Sequence, residues 1–303
     1  MAELLNEPNI GLLREAIDLH VHVGPDMVER LLDSVQLAEQ GRAVGMRGFA
    51  LKSHYVPTAP LAALTRRLVP EVEAVGCLAL NNSVGGLNPS AVEASLKLGA
   101  GIIWMPTTSA RNHVEYYGRV RHPLLALEPL EGSISVLRSS GELLPECMEI
   151  LGMIAEHGAV LATGHLSVPE VEVLVEEARR QGVEGIIVTH PLDRMTGMGP
   201  EAQRRMAGRG AFLEHTWLSA MPIWRVTSPE AIAEAVRAVG ADRCILTTDF
   251  GQAHHPSPVE GLRFFARTLL EFGIDEPSIR RMICDNPHRL LGLEKRDAGK
   301  DED

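Results

Sequence analysis

Apolar and polar positions along this chain fall into a repeating block. A stretch with helical spacing runs to a glycine, a few residues pass, and a short apolar run ends on a polar side chain. "VQLAEQGRAVGMRGFALKSH" ends at His54, "VEASLKLGAGIIWMPT" at Thr107 and "ILGMIAEHGAVLATGH" at His165. "VEEARRQGVEGIIVTH" ends at His190 and "IAEAVRAVGADRCILTTD" at Asp249. Each block reads as helix, C-terminal glycine, then buried strand. Continuous rather than alternating apolar strands imply a parallel sheet covered on both faces. The pattern predicts eight strands, at residues 16–22, 47–53, 74–80, 101–107, 159–165, 185–190, 210–215 and 243–249. Asn88-Pro89 and Ser228-Pro229 mark two helix starts, each a capping side chain followed by proline at the first helical position. Eight strands alternating with helices predict a closed (β/α)8 TIM barrel in a single domain spanning 1–303. An open doubly wound sheet is the alternative, but "HVHVGPD" after strand one carries no GxGxxG phosphate loop.

One segment interrupts the rhythm. Between strands four and five an insertion of about 108–146 is expected. Within it "SISVLRSSGELLPE" reads as a small hairpin turning at Ser139-Ser140-Gly141. "SARNHVEYYGRVRHP" before it is polar and aromatic, and reads either as a lid over the site or as a structural excursion. The tail at 295–303 is charged and expected to fray.

Composition narrows the partners. Of 303 residues, 29 are Lys or Arg and 40 Asp or Glu, a net charge of −11, so neither nucleic acid nor an anionic membrane is expected as partner. Four cysteines without CxxC spacing fit a reduced cytoplasm rather than a disulfide framework. The opening "MAELLNEPNIGLLREAID" is acidic with no long apolar stretch, so no secretory leader is expected in it. A small-molecule substrate is the expected partner; a homo-oligomer is compatible with the sequence.

The candidate chemistry sits at strand ends. In "IDLHVHVGPD", His20 and His22 are two residues apart, and period-two alternation turns both to one face of strand one. Lys52 and His54 end strand two, His165 strand five, His190 strand six and Asp249 strand eight. Active sites of such barrels gather at this level, and imidazole plus carboxylate suits zinc, with manganese, iron or nickel as alternatives. Around them, His54, Arg111, His113, Tyr116, His215 and His254 are candidate substrate-binding residues, with Arg111 suited to hold a carboxylate. Glu214 and His215 are neighbours at the end of strand seven, so only one of them faces the pore.

"DLHVH", "ATGH" at His165, "VTHP" at His190, "TTDFG" at Asp249 and "DNPHRLLGL" together resemble the amidohydrolase superfamily of metal-dependent barrels. The resemblance implies that His20, His22 and Asp249 hold a buried divalent ion and that His165 and His190 hold a second one. It also implies a carboxylate bridge from strand four, where this chain has only "IIWMPTTS". Lys52 is the substitute at the strand ends, either as a carbamate between one or two ions or as an unmodified lysine that binds an anionic substrate. The implied reaction is hydrolysis of an amide, cyclic imide, lactone or ester by metal-activated water, with Asp249 as proton shuttle. Alternatives are a metal-dependent decarboxylase of the same superfamily, a PHP-type phosphoesterase suggested by "GMRGFALKSHY", a Schiff-base enzyme using Lys52, and a non-catalytic metal-binding protein.

Overall fold

The computed structural model describes residues 10–120, 132–224 and 226–293; the tail at 295–303 and residues 121–131 of the expected insertion lie outside the described residues. Eight strands are present: β1 Ile17–Val21, β2 Gly48–Leu51, β3 Glu73–Ala79, β4 Ala100–Trp104, β5 Val160–Ala162, β6 Ile186–Thr189, β7 Phe212–Thr216 and β8 Cys244–Thr247. They pair in sequence order, and every pair is parallel. The last strand returns to the first: the Asp249 amide donates to the His20 carbonyl at 2.8 Å and the His22 amide to the Phe250 carbonyl at 2.7 Å. Asp18 adds a buried clasp at the same join, accepting from the Thr248 amide and hydroxyl and from the His20 amide. The fold is a (β/α)8 barrel, as the repeat predicts. Eight strands also fit poorly with the sevenfold barrel expected of a PHP-type phosphoesterase.

The helices follow from the local signals. They are α1 Ser34–Ala43, α2 Ala59–Leu68, α3 Pro89–Lys97, α4 Arg111–Val120, α5 Pro145–Glu156, α6 Val168–Arg180, α7 Pro200–Gly208, α8 Pro229–Val239 and α9 Pro258–Glu271, with two short ones closing the chain. Asn88 caps α3 and Ser228 caps α8 through their side chains. Beyond α3 and α6, Gly99 and Gly182 take φ of 87° and 86°, the left-handed turn that lets the chain leave a helix and enter the next strand.

Two apolar layers form. A small cluster takes one or two residues from every strand, including Leu19, Ala79, Ile102, Trp104, Phe212 and Ile245, and fills the barrel. A larger one fills the space between strands and helices. The insertion contributes α4 and a small antiparallel turn, with Leu137 bridged to Leu143 around Gly141, as the hairpin reading expects. Among the described residues no helix is long and apolar enough to cross a membrane.

Gly76 of β3 allows α2 to start close against the sheet: a Cβ there would lie 2.4 Å from Ala59 Cα. Gly76→Ala is expected to destabilise the protein by about 1–3 kcal/mol through overpacking against backbone. Urea unfolding followed by circular dichroism measures it, and an unchanged midpoint would show that the contact relaxes freely.

Candidate metal centre

β1, the residue just past it and the turns beyond β2, β5 and β6 bring five imidazoles into a closed circle, and the turn beyond β8 adds Asp249. Ring centroids are 5.5 Å apart between His20 and His22, 4.9 Å between His22 and His54, and 6.2 Å between His54 and His165. The circle closes with 5.4 Å from His165 to His190 and 5.5 Å from His190 to His20. Trp104 lies beneath, with the His20 ring 4.6 Å from its ring and Lys52 Nζ 4.2 Å above its centroid.

Three of these rings converge on one carboxylate. Asp249 Oδ1 lies 3.0 Å from His20 Nε2 and 3.1 Å from His22 Nε2, and Oδ2 lies 3.5 Å from His190 Nε2. Asp249 and His190 are not in strands; they open the loops after β8 and β6. Both take left-handed backbone, with φ of 57° and 51°. A side chain there is strained, and the turn is what aims both groups inward rather than along the strand.

The opposite edges of the rings are held from outside. Nδ1 of His20 meets Glu214 Oε1 at 3.0 Å, that of His22 meets Arg30 Nη2 at 3.5 Å, and that of His54 meets Thr107 Oγ1 at 2.9 Å. Nδ1 of His165 meets His113 Nδ1 at 2.9 Å, and that of His190 meets Thr216 Oγ1 at 3.4 Å. An acceptor at Nδ1 is how proteins orient imidazoles that ligate through Nε2; Glu214 is such an acceptor for His20, whereas the Arg30 guanidinium only donates and does not take a hydrogen from His22 Nδ1. Asn81 extends the scaffold, donating to Thr107 Oγ1 and to the His54 carbonyl while accepting from the Thr107 and Ser109 amides.

Electrostatics agree with a cation-binding nest. Burial pushes Asp249 up, but His20, His22 and His190 more than offset it and hold its carboxyl well below the ordinary value. Burial depresses His22 to about 3, with the Arg30 charge adding to the fall, and it lowers His165 and His190 as well. These rings are therefore neutral, the form in which imidazole binds metal. His20 differs: burial lowers it, yet the charges of Asp249 and Glu214 leave it above its usual value, drawing positive charge to its ring. Burial lowers Lys52, whose Nζ lies 2.8 Å from His20 Nε2. Among the described residues one set of three donors, on His20, His190 and Asp249, lies within 4.8 Å of one another, and a divalent ion bound by this oxygen and these two imidazole nitrogens would displace any proton from the His20 ring.

The site residues expected from sequence divide into two groups. His20, His22, Lys52, His54, His165, His190 and Asp249 come together, and His113 joins them through His165. Tyr116 is partly exposed on α4, and the Arg111 side chain is exposed. His254 is exposed, its ring edge-on to His255 with centroids 4.4 Å apart. At the end of β7 the inward residue is Glu214, not His215. Glu214 is fully buried against His20 and Thr247, whereas neither ring nitrogen of His215 has a partner among the described residues. Phe212, two residues earlier, belongs to the barrel interior and was the available signal for this parity. Arg30 was not expected at all: it reaches the site from the loop after β1.

A family described as of unknown function, DUF6282, matches residues 15–214 of the chain. No curated protein matches it in sequence. Among solved structures, an amidohydrolase from Pseudomonas aeruginosa is 15% identical with a TM-score of 0.62, covering 93% of this chain and 97% of its own. A protein provisionally assigned as a 2-pyrone-4,6-dicarboxylic acid hydrolase, from Pseudomonas putida, is 15% identical with a TM-score of 0.61, covering 93% and 99%. A 2,6-dihydroxybenzoate decarboxylase from Rhizobium is 13% identical with a TM-score of 0.56, covering 92% and 99%. At these identities the likeness establishes the barrel fold.

Glu214 touches the His20 ring on the side away from Asp249, so its effect on a bound ion runs through that ring. Glu214→Gln is expected to weaken zinc binding by about 10- to 100-fold. Competition against a chromophoric chelator reads the affinity; an unchanged value would show that the carboxylate does not support the His20 ring.

Proposed function

Because the chain belongs to the family of unknown function DUF6282, whose description assigns no reaction, we propose a function from the site itself: a metal-dependent hydrolase of the amidohydrolase type. The proposed reaction adds water to a C–N or C–O bond of a small polar substrate, an amide, cyclic imide, lactone or ester. The observation that carries this reading is the convergence of three imidazole Nε2 atoms on the Asp249 carboxylate at 3.0–3.5 Å. The fold shared with an amidohydrolase and with a pyrone dicarboxylic acid hydrolase supports it.

His20, His22, His190 and Asp249 would hold one divalent ion, with zinc expected and manganese, iron or nickel as alternatives, and His165 stands where a second would be bound. When bound, the ion supplies Lewis acidity, making hydroxide available near neutral pH and polarising the scissile carbonyl. Asp249 faces the same point and takes a proton from the attacking water, then gives it to the departing nitrogen or oxygen. His54 contributes a donor: Thr107 Oγ1 already accepts from Asn81, and its own proton turned to His54 Nδ1 leaves the ring hydrogen on Nε2. Lys52 takes one of two roles. Burial favours its neutral amine, the form that reacts with carbon dioxide, releasing a proton, to give an anionic carbamate ligand; unmodified, it would bind an anionic substrate through its N–H donors, an incoming anion favouring the protonated form.

A metal-dependent decarboxylase is the second reading. It is favoured by the single three-donor set among the described residues and by a β4 end, Trp104 to Thr107, without Glu or Lys to bridge two ions. The shared fold with a dihydroxybenzoate decarboxylase is compatible with it.

A panel of lactones, imides, esters and small amides with zinc or manganese, run beside aromatic acids with detection of carbon dioxide, separates the two. On whichever substrate turns over, Asp249→Asn is expected to remove activity by several orders of magnitude while circular dichroism stays native. Activity retained within a few-fold would refute the proton-shuttle role.

A further inference from the structure

We propose that Arg30 is the anion anchor of this site, and that the substrate therefore carries a carboxylate next to an apolar body. The inference rests on the reading of the imidazole circle as the reacting centre, but not on which ion it holds.

Arg30 sits in the loop between β1 and α1, and its side chain is only 5% exposed. Burying a guanidinium that deeply at the mouth of a barrel is costly unless it is held and used. One edge is held: Nε and Nη2 both bond Asp26 Oδ2, at 2.8 and 2.7 Å, and the Asp26 side chain is itself 1% exposed. The loop is fixed too, with Arg30 bridged to Gln252 and the Leu31 amide bonded to the Gly251 carbonyl at 2.9 Å. This ties the loop after β1 to the loop after β8 that carries Asp249.

The other edge is free. Nη1 makes no hydrogen bond among the described residues, and Nη2 lies 3.5 Å from His22 Nδ1. If His22 ligates through Nε2, its hydrogen is on Nδ1, and that hydrogen and the outer guanidinium edge become adjacent donors with no acceptor between them. A carboxylate oxygen satisfies both, and the planar fork matches a carboxylate bidentately. Arg111, the residue expected in this role from sequence, is exposed on α4 and its side chain makes no hydrogen bond among the described residues.

The apolar part is inferred from the loops at the same end of the barrel as Arg30. Loops at this end of the barrel expose large apolar side chains: Met27 at 77%, Val28 and Leu31 after β1, Val56 after β2 and Ile223 after β7. Such side chains suit the ring or chain of a substrate whose charged end passes inward to Arg30.

Benzoate and benzamide are the probes, equal in shape and different in charge. Calorimetry on the protein as purified is expected to show benzoate bound about tenfold or more tighter than benzamide, the worth of a charge-assisted pair. Arg30→Gln is expected to remove that preference, and Arg30→Lys, which keeps a cation for Asp26, to retain part of it; the lysine variant decides if the glutamine variant does not fold. Repeating the titration after chelation separates the two readings. Loss of the preference on chelation, with Arg30→Gln unchanged from wild type, would place the carboxylate on the ion and overturn the proposal. A preference that needs Arg30 and persists in protein free of metal would uphold it. Equal affinity for the two probes, or binding of neither, also overturns it.

Discussion

The Asp249 carboxylate is buried, and an ionised carboxylate survives there only when donors or positive charge surround it. Three imidazole nitrogens do so, and the arrangement constrains everything near it. Asp249 must leave β8 through left-handed backbone to reach them, and His190 must leave β6 the same way. The join between β8 and β1 must close tightly, because His20 and His22 come from one side of it and Asp249 from the other. The bonds from Asp249 to the His20 carbonyl and from His22 to the Phe250 carbonyl are that closure. Gly251 marks how close the approach is: a Cβ there would fall 1.9 Å from the His22 carbonyl oxygen.

Around the carboxylate, each ring meets a partner at its far edge: a carboxylate, a guanidinium, a hydroxyl on Thr107, another imidazole, and a hydroxyl on Thr216. These partners come from β7, the loop after β1, the turn after β4, α4 and the end of β7. The centre is therefore assembled by most of the barrel, and the insertion after β4 is part of it through His113. The orientation of the His20, His22 and His190 Nε2 atoms toward Asp249 is the property that links this geometry to metal chemistry.

Much of this was legible in the sequence because the repeat is strong. Apolar runs bounded by glycine located all eight strands, and counting from their ends located His20, His22, Lys52, His54, His165, His190 and Asp249. What could not be read was set by direction rather than position. At Glu214 and His215 the choice is one of parity, decided by Phe212 facing the barrel interior. Arg30 lies eight residues beyond His22 in a loop with no periodicity, and only the pairing of that loop with residues 251–252 brings it back. His254 and Arg111 carry suitable groups, but the loops and helix that bear them turn those groups to solvent. The other outer partners of the imidazoles are all long-range contacts, invisible to local pattern.

The central claim is that Nε2 atoms of His20, His22 and His190 and the Asp249 carboxylate bind a divalent ion. X-ray absorption at the zinc edge of the loaded protein tests it most directly. The account predicts a shell of nitrogen and oxygen at about 2.0–2.1 Å with the outer-shell scattering of two or more imidazole rings, and no sulfur. A sulfur shell near 2.3 Å, or a hydrated ion without imidazole scattering, would contradict it.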